Sequence, residues 1–185
     1  MVFHFKLEKT MQAVAALLRF HNTKEMSYLR MLKLLYVADR QSLQETGLPI
    51  TGDQIVAMAH GPVLSGLYDL VKGTTTAWPQ WSEYFRKNGY RIEIVKDPGN
   101  GKLSKYEINK LQDITNQFEN MCDWELVEYV HTFDEWKRNN SGKSSKRIPL
   151  DHVIEAIGRL ADKDAIIQDA KDQNEFDRLF SSLKG

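Results

Sequence analysis

One cysteine, Cys122, in 185 residues excludes an internal disulfide and a cysteine-based zinc site. A reducing compartment fits such a chain. Charge of one sign is missing as well: 25 Lys and Arg stand against 25 Asp and Glu, so nothing supplies the non-specific phosphate affinity of a dedicated nucleic-acid binder. Nucleic acid is therefore not an expected partner. No apolar run approaches the roughly 20 residues needed to cross a bilayer, and Met1-Val2-Phe3-His4-Phe5-Lys6 lacks the basic region and apolar run of a secretory leader. The expected location is the cytoplasm, with no membrane partner. The dinucleotide fingerprint, the phosphate loop and the nucleophile elbow are missing too. The five histidines form no i, i+3 or i, i+4 pair, so a metal site is not expected.

What is present describes an ordinary folded chain. Apolar residues make up 42% and charged residues 27%, values usual for a globular protein. The length predicts one domain over residues 1–185. Apolar spacings of three and four predict a helix over 7–20 and a second from the Asn22-Thr23 cap to Gly47. Residues 48–60 carry Pro49 and Gly52 and a short apolar run, 55–58, whose periodicity does not decide between strand and helical turn. Pro62 suits the first position of a helix ending at Gly73, and Pro79 one or two helical turns. Residues 90–95 and 103–108, around Pro98-Gly99-Asn100-Gly101, predict a β-hairpin as the only sheet. Further helices are predicted around 111–121, from Asp123, after Pro149, and over about 164–184. Residues 137–147, basic and without an acid or an apolar residue, predict a surface loop. The expected architecture is a mainly α, compact single domain of about seven helices with one hairpin. Leu29, Leu32, Leu35, Tyr36, Leu67, Phe118, Val127 and Ile157 are expected in its core.

The density of special residues is highest from Asp53 to Tyr68. In a purely structural reading Gly61 turns the chain, Pro62 starts a helix, and His60 and Asp53 cap free amides. In a functional reading the same turn presents His60 and Tyr68 to a partner. Trp78, Trp81, Tyr84 and Phe85 are equally double-edged, because aromatics fill cores and also anchor interfaces. Cys122 and His131 stand nine residues apart, which on one helix puts them on opposite sides and argues against a thiol-imidazole pair.

Three blocks together resemble a known family: Tyr28-Leu-Arg-Met-Leu-Lys-Leu-Leu-Tyr36-Val-Ala-Asp-Arg40, then Gly47-Leu-Pro-Ile-Thr-Gly-Asp53, then His60-Gly61-Pro62-Val63-Leu-Ser-Gly-Leu-Tyr68. They look like the Panacea domain, the SocA-like antitoxin family also found among phage-associated proteins. A fourth block, from Trp124 to Trp136 and including His131, is similar to that family's later helix. At position 135, where members commonly have Pro, this chain has Glu135.

The resemblance implies an antitoxin of a toxin-antitoxin system, which binds a cognate toxin and holds it inactive, with no catalytic activity and no cofactor. In at least one branch the member is also a protease adaptor, so a cellular protease is a second partner that the resemblance implies. The motif residues it singles out are Tyr36, Asp53, Gly61, Pro62, Val63, His131 and Trp136. The residues expected to meet the toxin are His60, Tyr68, Trp78 and Trp81. With the first helix predicted close to Met1, no strong operator binding is expected. The alternative is a small hydrolase or transferase using His60 with Asp53 or Tyr68, since a neutral imidazole is a capable base near pH 7. A concave pocket holding those groups within hydrogen-bond reach would favour it.

Overall fold

The computed structural model describes residues 2–21, 23–142 and 144–182. Helices α1 (Leu7–Phe20) and α2 (Tyr28–Thr46) are followed by α3 (Ser65–Lys72), α4 (Trp78–Ser82), α5 (Lys105–Gln117), α6 (Asp123–His131), α7 (Asp134–Asn139), α8 (Leu150–Ala156) and α9 (Lys163–Ser182). Strands β1 (Glu25–Ser27), β5 (Arg91–Ile94) and β4 (Phe85–Asn88) form one antiparallel sheet in that order. The second sheet is ordered β3 (Gly61–Leu64), β2 (Ile55–Met58), β6 (Lys146–Arg147). The expected helical domain with a single hairpin is thus corrected: among the described residues there are nine α-helices and two three-stranded sheets, mainly helical but mixed.

α2 is the axis of the molecule. Met31, Leu34, Leu35, Tyr36 and Ala38 are fully buried along it, a helix apolar on more than one face because α1, α5, α6 and β3 all pack on it. It starts at Ser27 rather than near Asn22: the Ser27 hydroxyl accepts from the Arg30 amide, while Glu25–Ser27 pair as β1 with Arg91–Glu93. Asn22 itself lies outside the described residues. Of the expected core, Leu32, Leu35, Tyr36, Leu67, Phe118, Val127 and Ile157 are buried, whereas Leu29 is only half-buried.

The predicted hairpin is displaced. Within the predicted 90–95 strand, Arg91–Ile94 is extended, but its partner is the polar run Phe85–Asn88, joined to it through Gly89-Tyr90. Leu103–Ile108 instead opens α5, where the Ser104 hydroxyl accepts from the Glu107 amide and the Glu107 carboxylate accepts from the Ser104 amide. Pro62 is likewise a strand residue opposite Ala57. A proline has no amide to donate, and β3 is an edge strand where none is required. α3 begins three residues later, and part of the predicted basic loop, Lys146–Arg147, pairs with β2. The C-terminal helix is described to Ser182; Leu183 and Lys184 lie outside the described residues.

Candidate functional site

The β2–β3 hairpin is held from three sides by the residues of the sequence motifs. Gly61, at φ 96°, makes the turn back into β3, and a Cβ there would stand 2.6 Å from Val130 Cγ2, so both conformation and space require glycine. Below it, the Lys33 ammonium of α2 donates to the Pro62 carbonyl at 2.9 Å. Beside it, the His131 ring stacks on Trp136 with centroids 4.0 Å apart, and the Trp136 indole donates to the Met58 carbonyl at 3.0 Å. Beyond β3, the Asp53 carboxylate accepts from the amides of Gly66 and Leu67, both at 2.9 Å, and of Gln54. It therefore caps the start of α3 across a gap of twelve residues. Burial raises the Asp53 pKa, and these three amides oppose the rise.

Tyr36 lies deeper and takes no part in a surface. Its hydroxyl donates to Glu135 Oε1 at 2.7 Å, and Arg40 donates to the same oxygen at 2.6 Å. Glu135 is fully buried, and the Arg40 guanidinium also lies 4.2 Å from the Phe133 ring centroid. The position at which this chain departs from the family pattern thus joins α7 to α2.

This frame walls a groove of about 540 Å³. Tyr28, Leu29 and Leu32 of α2 line it together with Val63 and Tyr68; His60 and Trp124, also in its lining, meet edge to face with centroids 5.4 Å apart. Tyr90 and Trp124 are 79% and 60% exposed. Lys33 also lines the groove while being only 1% exposed, and burial pushes the pKa of its ammonium down to about 7. His131 is lowered by burial, with the Lys33 and His60 charges adding to the effect and Glu128 opposing it. Its Nε2 is buried without a hydrogen-bond partner among the described residues.

The partner-binding residues expected from sequence are spread over different environments. His60 and Tyr68 share the groove. Trp78 is 44% exposed and covers Gly73 just past the end of α3. Trp81 is 2% exposed and stacks on Phe85 at 4.2 Å, a core placement. Tyr28, Tyr90, Trp124 and Lys33 were not singled out. Tyr28 and Lys33 sit within the first sequence block, but only the register of β1 against β5 shows that Tyr90 joins them.

For the enzyme alternative, no hydrogen bond among the described residues joins His60 to Asp53 or Tyr68, and Asp53 is engaged with amides. Cys122 and His131 lie at opposite ends of α6, and Cys122 is exposed. Among the described residues no group of three or more His, Cys, Asp or Glu side chains could hold a metal ion, and no helix is long and apolar enough to cross a membrane.

No curated protein and no solved structure matches the chain. One family does: the SocA-like antitoxin, Panacea domain, over residues 31–137. That span runs from the second turn of α2 to α7, includes both strands of the β2–β3 hairpin with Asp53, His131 and Trp136, and leaves α1, α8 and α9 outside. Covering more than half of the 185 residues, it shows that the chain belongs to the SocA-like antitoxin family with a Panacea domain.

Proposed function

We propose that the chain neutralises a co-encoded toxin by direct binding, with the groove between α2 and the β2–β3 hairpin as the docking surface. The observation that carries this is the exposure of Trp124 and Tyr90 beside Tyr68 and His60 around an apolar groove. Neutralisation at nanomolar affinity requires roughly −12 kcal/mol. Exposed ion pairs contribute little each, so most of that free energy comes from a few aromatic anchors desolvated inside a polar rim. Trp81, buried against Phe85, serves the fold, and its replacement by alanine is expected to destabilise the domain.

Co-expression with the neighbouring reading frame tests the reading. That frame should arrest growth alone and be harmless beside this protein, and a Tyr68→Ala, Trp124→Ala double variant should melt cooperatively yet fail to rescue. A harmless neighbour, or one still lethal with this protein present, overturns it. A folded double variant that rescues fully moves the docking surface elsewhere. The toxin's lifetime in the same cells separates two modes of action: holding it inactive leaves the lifetime unchanged, and delivery to a protease shortens it.

A further inference from the structure

Lys33 is an anomaly that the apolar character of the groove does not explain. Its side chain is 1% exposed, and its ammonium has three N–H groups of which one is used, toward the Pro62 carbonyl. Among the described residues no carboxylate lies within ion-pair distance of it. A buried cation is normally paired, because removing it from water costs several kcal/mol that only an opposite charge in good geometry offsets. Here the missing counter-charge has a route in, since Lys33 is one of the residues that line the groove.

Resting on the antitoxin reading, we propose that the groove receives an acidic side chain of the toxin, an Asp or Glu flanked by an apolar residue, whose carboxylate pairs with Lys33 Nζ while its neighbour packs on Tyr68 and Trp124. Charge matching favours a carboxylate over a phosphate. Lys33 supplies one positive charge, and burial holds the nearby His131 on α6 toward its neutral form. Asp123, which also lines the groove, is already paired with Ser27 and, at 3.6 Å, with Arg30, so Arg30 is engaged and a dianion would find no second free cation there among the described residues. The low dielectric of the floor strengthens one correctly placed pair and penalises a bare lysine, which makes the contact a source of specificity. Burial has already brought Lys33 near neutrality, and a bound carboxylate restores its proton.

Two measurements test this on the intact protein. In the first, 3-phenylpropionate and 3-phenylpropan-1-ol are titrated while the Trp124 indole and Lys33 amide signals are followed by NMR. The acid should bind at least about tenfold tighter than the alcohol, and Lys33→Met should abolish the difference. Equal binding of the two, or no response to the acid up to its solubility, overturns the proposal. In the second, the toxin from the neighbouring frame is titrated calorimetrically into wild type and Lys33→Met. The variant should melt at or above the wild-type temperature and bind roughly 100-fold more weakly. Equal affinity overturns the carboxylate contact and leaves the antitoxin reading standing. No binding by wild type overturns the antitoxin reading and the toxin as occupant, and the first measurement then decides whether the groove recognises carboxylates at all.

Discussion

Glu135 shows how much one side chain can carry. It is completely buried, and one of its oxygens receives both the Tyr36 hydroxyl and the Arg40 guanidinium. Burial, and then the Glu135 charge, drive the Tyr36 hydroxyl well above its usual pKa, so the cluster holds a neutral phenol and one ion pair. Glu135→Gln keeps the shape and removes the charge, leaving Arg40 facing an amide in a poorly hydrated position. The expected loss is about 2–3 kcal/mol in chemical denaturation. An unchanged denaturation midpoint would mean that Arg40 swings into water at no cost. Nothing around position 135 in the sequence announces this role. An acid between Asp134 and Trp136 reads as surface until α7 is known to fold back on α2.

Among the elements, α3 is the one whose start was hardest to place. It has no capping side chain of its own, because Leu64 precedes it, and its first free amides are answered by Asp53 from before β2. Asp53→Ala should therefore cost about 2 kcal/mol, more than an ordinary lost cap, since the abandoned amides lie against a closely packed turn. Hydrogen exchange should then accelerate first at Gly66 and Leu67; protection unchanged at those amides would refute the capping role. The sequence showed that Asp53 was special and offered capping as one explanation, but nothing in its spacing predicts a cap reaching over an intervening hairpin. The same limit explains the misplaced β-hairpin. Phe85-Arg-Lys-Asn88 has no apolar alternation and pairs because β5 also needs a partner on the side away from β1. The helix start at Ser104, by contrast, is written in the sequence as Ser-x-x-Glu, a pattern that the hairpin reading of residues 103–108 leaves unused.

For the whole molecule, two buried groups on α2 set an unusual response to pH. Burial raises the Asp39 carboxyl from 3.8 to about 7, against the opposing effect of the Thr51 hydroxyl and amide, so between those values the folded state holds a proton that the unfolded chain has lost. Stability from this group is full below about 4 and is lost as pH rises through 7. Lys33 behaves in the opposite sense: its folded pKa is about 7 against 10.5, so above 7 the unfolded chain holds the extra proton and stability rises toward pH 10. Together they predict a stability minimum near neutrality, with arms of roughly 2–4 kcal/mol each. Asp39→Asn should flatten the acid arm and Lys33→Met the alkaline one; variants whose profiles parallel wild type would refute the assignment. Such a minimum gives the contacts made last particular weight. Tyr36 and Glu135 are 99 residues apart, and Met58 and Trp136 are 78, so these bonds close only after most of the chain has collapsed around α2. Losing them should leave the refolding rate nearly unchanged and speed unfolding. The Glu135→Gln protein would then form as readily as wild type and last less long, and under the neutralisation proposed above, lifetime is the quantity that counts.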